Sequence, residues 1–383
     1  MSARATRLWH VGGKDVDLRI PLLLRMRQAG FDVAAAGAGC PAPFEAAGIP
    51  YFDYGLAPGL QPLEDLAARR RLAALLRQQR PDLAHAFDTK PGLLLPHAAR
   101  GCAGVRCVRT ITGLGRLFAR NDLAARAGRA VYRAAQRRVA PHCALTVFQN
   151  EEDRDEFLAH DLLRGRPHAL VRGSGVDAAA LRAAAPAAGA VAALRRQLGA
   201  EGGLLVLMVA RVVPSKGVRE FLDAAGRVRA GRPAAFVLVG PADEGERSAA
   251  RLRRDVASHP HVRYLGRRDD VPALLAAADV FALPTWYREG LPRVLLEAAV
   301  MRVPIVTTAV PGCREVVHDG VTGLVVPPRD ATALAQAIGR LAGEPALRAR
   351  LAAAAERHVL EHFSLDRVAA DTLALYRTVL DEG

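Results

Sequence analysis

Short apolar runs alternate with longer segments of helical periodicity in the first half of the chain. Leu8 to Val11 form an apolar run that ends at Gly12 and Gly13. The apolar positions after this turn recur at helical spacing: Ile20, Leu23, Leu24 and Met26. A second run at 30–37, a helix from about 63 to 79 and a third run ending in "HAF" repeat the rhythm. Repeated strand and helix units of this kind predict a parallel sheet covered on both faces.

The second half of the chain shows the same alternation. Predicted strands lie at 204–210, 234–240, 262–266, 280–284 and 303–308, with predicted helices at 271–278 and 292–300. An Ala- and Gly-rich stretch, 178–203, separates the two series and is predicted to be a linker. We therefore predict two doubly wound α/β domains, at 1–177 and 204–365. The carboxyl ends of their strands are expected to meet across a cleft, where such folds bind ligands.

The composition is that of a folded protein. Hydrophobic residues make up 51% and charged residues 24% of the 383 positions, which is enough apolar surface for two cores. The five cysteines show neither a C-x-x-C pair nor zinc-site spacing, which favours free thiols in a reducing compartment. No stretch of about 18 apolar residues occurs. We expect a cytoplasmic protein that can work at the inner face of the membrane.

The net charge of +14 is concentrated in an arginine-rich block. Residues 100–140 carry ten arginines and one acid, Asp122. Four of the arginines recur at spacings of three and four and so share one face of a predicted helix: Arg126, Arg129, Arg133 and Arg137. A solvated polar face is one interpretation of this block. The other is a hypothesis that this face rests on anionic lipid, since such a field attracts phosphates and lipid headgroups.

Two acidic residues frame the densest group of candidate chemical residues. Pro292 fits a first helical turn, so Glu289 lies on the loop that enters a helix and Glu297 lies inside that helix. The amides of Gly290 and Leu291, with the positive end of the helix dipole, are predicted to bind a phosphate. Two acids at this spacing often occur by chance. Their place between a predicted strand and an apolar helix makes them a candidate site.

Two cations follow the first predicted strand of the second domain, in the stretch "ARVVPSKG". Arg211 and Lys216 can neutralise the charge that develops on a departing nucleoside diphosphate, a task that otherwise needs Mg²⁺ or Mn²⁺. No acidic pair of D-x-D type appears where a metal would serve, so we expect neither a metal nor another cofactor. The alternative is an ordinary loop arginine and a lysine that begins a helix.

Longer stretches around these residues carry a family resemblance. In the first half they are "PDLAHAFDTKPGLL", "TITGLGRLF", "VFQNEEDRDEF" and "RGSGVD". In the second half they are "ARVVPSKGVREFLDAA", "LVGPADE", "VRYLGRRDDVPALLAAADVFALPTWYREGLPRVLLEA" and "TAVPGCREVVHDGVTGLVVPPRD". With them the chain resembles, over nearly its whole length, the family 4 retaining glycosyltransferases of the GT-B fold, also called glycosyl transferases group 1.

The resemblance implies both architecture and activity. It implies two Rossmann-like domains that face each other across a cleft, with the last helix, 366–383, packed back on the first domain. It also implies transfer of a sugar, with retention, from a nucleotide-sugar, most often a UDP-sugar. The implied acceptor is a glycan or a polyprenyl-diphosphate-linked saccharide of a cell-surface polysaccharide pathway.

The resemblance further assigns roles on the donor side. Arg211 and Lys216 would bind the donor diphosphate, Glu297 the ribose hydroxyls, and Glu289 the hydroxyls of the transferred sugar. The remaining donor positions would contribute mainly backbone: Gly290, Leu291, Asp270, Val271, Gly12 and Gly13. The first two surround the sugar and phosphate, the next two lie near the base, and the glycine pair lets backbone approach the phosphates.

The acceptor side departs from the family pattern. Thr112 and Phe87 stand where many relatives carry histidines, so that only His85 remains. Lys90 and the turn that starts with Thr112 and Gly113 are candidates for holding an acceptor phosphate or sugar. A structural role for His85, near a strand end, is the alternative.

The sequence leaves three alternative functions open, and it also leaves two mechanisms of retention open. A nucleotide-sugar epimerase of the same architecture would convert its donor without an acceptor. A nucleic-acid-binding protein would rest on the arginines alone and lacks aromatic platforms, since aromatics make up only 5% of the chain. A binding protein without catalysis is disfavoured by the presence of all four charged donor residues. Retention could proceed with the leaving diphosphate accepting the acceptor proton, or by double displacement through Glu289.

Overall fold

The computed structural model describes residues 4–229, 234–242 and 247–382. Asp243 and Glu244, the end of the "LVGPADE" stretch, lie outside the described residues. The chain divides into two compact units: Met1–Gly175 with Leu365–Gly383, and Val176–Ser364. The last helix thus belongs to the first unit, although it follows the second in the chain.

The first unit is a parallel α/β unit. Its strands are β1 (Arg7–Val11), β2 (Asp32–Gly37), β3 (Tyr51–Asp53), β4 (Leu83–Phe87), β5 (Arg106–Ile111), β6 (Leu145–Phe148) and β7 (His168–Leu170). Its helices are α1 (Ile20–Gln28), α2 (Ala42–Ala46), α3 (Pro62–Gln79), α4 (Thr89–Ala99), α5 (Gly115–Phe118), α6 (Leu123–Val139), α7 (Glu151–Ala159) and α17 (Leu365–Asp381), with 3-10 turns at Val16–Arg19 and Ala140–His142. The strands are parallel in the order β3-β2-β1-β4-β5-β6-β7.

Helices cover both faces of this sheet because its strands are apolar on both sides. Alternation along β1 sends Leu8 into a core shared with α1 and α17. It sends Trp9 into a second core shared with α3 and α4. The strand order reverses between β1 and β4, so the loops after these two strands leave the same edge at a switch point.

The second unit repeats this plan. Its strands are β8 (Leu204–Val209), β9 (Ala234–Val239), β10 (Val262–Tyr264), β11 (Val280–Leu283), β12 (Ile305–Thr308) and β13 (Leu324–Val326). Its helices are α8 (Ala178–Ala183), α9 (Ala188–Gln197), α10 (Val218–Arg229), α11 (Arg247–Ala257), α12 (Val271–Ala277), α13 (Arg293–Val300), α14 (Cys313–Val316), α15 (Ala331–Gly343) and α16 (Pro345–His362), with a 3-10 turn at Pro214–Lys216. The parallel order is β10-β9-β8-β11-β12-β13, so the switch point lies between β8 and β11.

The predicted linker, 178–203, is instead part of the second unit. It forms α8, which Asp177 caps through a hydrogen bond to the Ala180 amide at 2.9 Å, and α9. Arg195 of α9 forms an ion pair with Asp279 at 2.9 Å. Leu198 is buried in the core of the unit. Alanine favours helix, and the few large apolar residues of the stretch have a core to enter, so an Ala-rich composition does not make a free linker here.

Candidate functional site

Two loops of the second unit meet at its switch point. The loop after β8 carries Arg211 and Lys216, and the loop after β11 carries Glu289 with Gly290 and Leu291. Because β8 and β11 are neighbouring parallel strands, both loops leave the same edge of the sheet. Ligands of doubly wound sheets bind outside the carboxyl ends of the strands at such a point.

An ion pair joins the two loops. Lys216 Nζ donates to Glu289 Oε1, and the two side chains are only 15% and 13% exposed. The Thr285 hydroxyl lies 3.5 Å from the same carboxylate oxygen. The Lys216 ammonium also lies 5.3 Å from the centre of the Tyr287 ring, within range of a cation–π contact. The structure therefore brings Lys216, predicted to bind the donor diphosphate, into direct contact with Glu289, predicted to bind the transferred sugar.

Backbone contacts hold these loops in place. The Trp286 amide donates to the Ser215 carbonyl at 3.0 Å, and the Thr285 hydroxyl donates to the same oxygen at 3.1 Å. Gly217 has a φ of 77°, and a Cβ there would lie 2.0 Å from the Pro284 carbonyl oxygen. Only glycine fits such a position. The loops after β8 and β11 are thus packed backbone against backbone, which fixes the position of the charged side chains.

Arg211 lies on the same loop as Lys216, two residues beyond the end of β8. Its side chain is exposed, and its carbonyl accepts a hydrogen bond from the Val213 amide at 2.8 Å. The two cations predicted to bind the diphosphate, Arg211 and Lys216, therefore both lie at the switch point.

Glu297 lies one helical turn inside α13 and has a partner that the sequence reasoning missed. Arg293 Nε binds Glu297 Oε1 at 2.9 Å, one turn earlier on the same helix. The spacing of four residues was the available signal. Burial raises the pKa of Glu297 despite the Arg293 charge. Pro292 was predicted in the first helical turn but is the N-cap residue, with extended backbone, so the helix begins one residue later.

Asp270 and Val271 lie at the same sheet edge but two strands away from β8. Asp270 immediately precedes α12 and follows β10, which β9 separates from β8. Arg268 donates two hydrogen bonds to the Asp270 carboxylate, from Nε at 2.7 Å and from Nη2 at 2.5 Å. This contact holds the pKa of Asp270 below its ordinary value. With the side chain so occupied, these two positions present mainly backbone.

The switch point of the first unit joins predicted residues to one that the sequence reasoning missed. Gly12 follows β1, and a Cβ there would lie 2.7 Å from the Val16 Cβ. Asp88 follows β4 with a φ of 73°, unusual for a residue with a side chain. Its Oδ1 accepts a hydrogen bond from the Thr112 hydroxyl at 3.1 Å, and its Oδ2 lies 4.0 Å from where a Gly13 Cβ would be. An acid directly after a buried strand, as in "FDTK", was the signal for Asp88.

Gly113 extends the same group of loops. It follows Thr112 after β5, the neighbour of β4, with a φ of 117° that glycine adopts readily. Strained backbone of the Asp88 kind concentrates at functional sites. The loops after β1, β4 and β5 therefore form a second candidate site, in the first unit.

Lys90 is engaged within the protein. Its ammonium forms an ion pair with Asp65 at 2.5 Å and donates to the carbonyls of Ala57 at 2.7 Å and Gly59 at 2.6 Å. Lys90 thus anchors the loop before α3 in the structure, and its role in holding an acceptor stays a prediction.

His85 is buried in a network that reaches the last helix. Its Nδ1 lies 2.6 Å from the Tyr376 hydroxyl and its Nε2 lies 2.7 Å from the Thr110 hydroxyl. Tyr376, on α17, also contacts His10 Nε2 at 3.0 Å. Both ring nitrogens of His85 are thus hydrogen-bonded inside the unit. Of the two roles considered for His85, the structure supports the structural one: it ties α17 to the sheet.

We expect the first unit to lose stability as the pH falls below about 6.5, the ordinary pKa of histidine. Burial, and next the Arg19 charge, lower the pKa of His10 to about 3. Burial, and next the charges of His10 and Arg19, lower that of His85 as well. Below this pH the two imidazoles bind protons in the unfolded chain but stay neutral in the folded chain. The free energy of unfolding should fall by about 1.4 kcal/mol per pH unit for each such imidazole.

Urea unfolding at about pH 7.5 and about pH 5.5 measures this loss. His10→Gln should shrink the difference between the two pH values, whereas His168→Gln, which changes an exposed histidine, should leave it as in the parent chain. An identical pH dependence in His10→Gln and the parent would contradict the assignment.

Neighbouring segments engage three of the four arginines on the predicted basic face of α6, although Arg126 and Arg137 are exposed. Arg129 donates to the carbonyl of Leu117 at 3.0 Å, Arg133 pairs with a carboxylate of α7 at 2.6 Å, and Arg137 donates to the carbonyl that follows α7 at 2.6 Å. Two apolar positions of the helix, Leu123 and Val131, are exposed as well, by 81% and 71%. Periodicity shows that a helix has two faces, and only its neighbours decide which is covered.

Among the described residues, no helix is long and apolar enough to span a membrane. No three of their His, Cys, Asp or Glu side chains are grouped as metal ligands.

Each of the two units matches a known protein family. The family "Glycosyl transferases group 1" matches residues 203–344, and "Glycosyl transferase 4-like domain" matches residues 22–173. The chain belongs to the group 1 glycosyl transferases. The range matched in the second unit includes the loops after β8 and β11, and the range matched in the first unit includes the loops after β4 and β5 but not Gly12 and Gly13.

Curated relatives of the group 1 glycosyl transferases match parts of this chain. A D-inositol 3-phosphate glycosyltransferase of Salinispora tropica is 35% identical over 48% of this chain and 40% of its own length. An alpha-D-kanosaminyltransferase of Streptomyces kanamyceticus is 33% identical over 49% of each chain. A UDP-Gal:alpha-D-GlcNAc-diphosphoundecaprenol alpha-1,3-galactosyltransferase of Escherichia coli is 27% identical over 74% of this chain and 72% of its own. The chain thus spans about half the length of the first two.

Solved structures share the fold over nearly the whole chain. Anabaena HepE in complex with UDP and glucose superposes with a TM-score of 0.78 at 19% identity, covering 97% of this chain and all of its own. Sucrose-phosphate synthase from Thermosynechococcus elongatus superposes with a TM-score of 0.80 at 20% identity, covering 99% and 100%. At these identities the likeness shows the fold, which is GT-B.

Proposed function

We propose that this chain transfers a sugar from a nucleotide-sugar, in particular a UDP-sugar, to a saccharide or lipid-linked saccharide, with retention at the anomeric carbon. The observation that carries the proposal is the Lys216–Glu289 ion pair at the switch point of the second unit. It joins a cation suited to a diphosphate and a carboxylate suited to sugar hydroxyls, within loops that match a glycosyl transferase family.

The donor diphosphate would displace a carboxylate from Lys216. In the structure Glu289 neutralises this ammonium, and both side chains are largely buried. A diphosphate brings more negative charge than one carboxylate and would take over the ammonium, with Arg211 and the amides of Gly290 and Leu291 as further donors. Glu289 is then released to accept hydrogen bonds from the sugar. Glu297, one helical turn inside α13, would accept hydrogen bonds from the ribose hydroxyls.

The proposal of a lipid-linked saccharide acceptor rests on two relatives and on one pair of residues in the first unit. The Escherichia coli relative is named for UDP-Gal and a diphosphoundecaprenol acceptor, and a Campylobacter jejuni relative for a diphospho-undecaprenol acceptor. Asp88 and Thr112 of the first unit are candidates for binding an acceptor hydroxyl, because their hydrogen-bonded pair lies at a switch point. A cytoplasmic location with peripheral membrane contact stays a proposal. Its support is now the exposed Leu123 and Val131.

We expect transfer to continue in EDTA. Arg211 and Lys216 are permanent positive charges where a leaving diphosphate would need one, so a divalent ion has no required task in the proposal. The measurement is the transfer rate with a panel of nucleotide-sugars, with EDTA and with added Mn²⁺. If EDTA abolished transfer and Mn²⁺ restored it, the claim that the nucleoside diphosphate leaves without a divalent ion would be wrong. The transfer reaction itself would still be established.

The decisive experiment for the function uses the same panel with and without acceptors. Thermal shift first selects the donor, because a ligand that binds the native state raises its melting temperature. Transfer should then require an acceptor, and NMR of the product should show the anomeric configuration of the donor. Conversion of the donor alone into its epimer would favour the alternative function. An inverted product would reject retention.

A further inference from the structure

A groove of about 520 Å³ lies between α3 and α4 in the first unit. Five basic side chains line it: Arg69, Arg70 and Arg77 from α3, and His97 and Arg100 from the end of α4. The proposed function makes no use of any of them.

Within the part of the chain that the structure describes, none of the four arginines forms an ion pair or hydrogen bond with a carboxylate. The pKa of His97 is lowered, first by burial and then by the charges of His142, Arg69 and Arg100. These positive charges are close enough to repel one another. An anion bound between them would therefore lower the electrostatic free energy.

Helix ends explain only part of this cluster. Arg77 and Arg100 lie at the C-terminal ends of α3 and α4, where a cation complements the helix dipole. Arg69 and Arg70 lie in the middle of α3, where no such benefit exists. Their convergence on the groove therefore calls for a ligand rather than for a helix-end effect.

The groove is also separate from the candidate site of the first unit. Each helix of a parallel α/β unit runs back from the carboxyl edge of the sheet to its amino edge. The end of α4 leads into the start of β5, so His97 and Arg100 lie toward the amino edge. Gly13 and Asp88 lie at the opposite, carboxyl edge.

We propose that this groove binds a soluble molecule that carries two or more phosphate groups. It is an open groove whose volume falls in the range of small-molecule sites, a size that fits a soluble ligand. Guanidinium groups bind phosphates in pairs of parallel hydrogen bonds, so four arginines can hold at least two phosphates. The inference does not depend on the proposed function, because no residue of the donor or acceptor side takes part.

Binding of inorganic tripolyphosphate to the full chain, measured by calorimetry, tests the proposal. Arg70→Gln/Arg100→Gln removes two charges from the groove. Arg357→Gln/Arg377→Gln removes two exposed arginines elsewhere and matches the change in net charge. We expect the groove variant to bind about 10- to 100-fold more weakly and the control to bind as the parent does. Binding at the donor loops contributes equally to all three proteins.

Equal affinities in the three proteins would overturn the proposal. The changed side chains are exposed, and unchanged melting temperatures without ligand will show that each variant is folded. Phosphatidylcholine vesicles with and without phosphatidylglycerol provide the second arm. If the groove variant lost binding to anionic vesicles while keeping its tripolyphosphate affinity, the groove would be a membrane contact and the soluble ligand would be rejected.

Discussion

Lys216→Ala should lower the rate of sugar transfer by about 10²- to 10³-fold. The ammonium lies on the loop after β8 and is only 15% exposed, so its charge acts on a leaving diphosphate with little screening by water. Its loss also leaves Glu289 without its ion-pair partner. The measurement is kcat and KM with the donor selected by thermal shift.

The matched control for this variant is Arg357→Ala, which removes an exposed cation of the second unit. It should retain the parent kcat. Lys216→Arg should recover part of the rate, since it restores the charge in a less suitable shape. A Lys216→Ala enzyme with nearly normal kcat would mean that the diphosphate leaves without this ammonium.

Glu289→Gln should separate binding from turnover. We expect kcat to fall by about 10²-fold or more, because the carboxylate that faces the sugar is gone. The same change should tighten the binding of UDP, since the carboxylate no longer competes with phosphate for Lys216. Calorimetry with UDP, and with GDP as the alternative base, measures the second effect.

Glu344→Gln is the matched control for Glu289→Gln, because Glu344 pairs with Arg340 on the surface of the same unit. It should change neither quantity. The double variant Lys216→Ala/Glu289→Gln should lose the gain in UDP affinity, as expected for two residues that act through one contact. Weaker UDP binding in Glu289→Gln would show that the carboxylate helps to bind the diphosphate rather than competing for its cation.

Buried parallel strands were predictable from the sequence because they are continuous apolar runs. The run at 204–210 became β8 (Leu204–Val209), and that at 280–284 became β11 (Val280–Leu283). Helix patterns did equally well, as for the predicted 292–300 and the observed α13, Arg293–Val300. The candidate donor residues were found for a related reason: loops directly after such strands must lie at one edge of the sheet.

Contacts between distant residues could not be predicted in this way. Tyr376 binds His85 across 291 positions of the chain, which turns a candidate acceptor residue into an internal tie. Lys90 was predicted at a ligand site, and in the structure its ammonium contacts acceptors from α3 and the loop before it. Each of these side chains had suitable chemistry. What it binds depends on which elements fold beside it.

The sequence by itself determined the α/β class, the alternation of elements and the loops that carry charge. Hydrophobic period and turn residues are local properties, so they can be read from neighbouring positions. Only the tertiary structure decided that 178–203 belongs to the second unit, that Arg133 of α6 pairs with α7, and that Asp88 binds Thr112. These outcomes depend on the packing of segments far apart in the chain, and periodicity carries no information about which partner a face will meet.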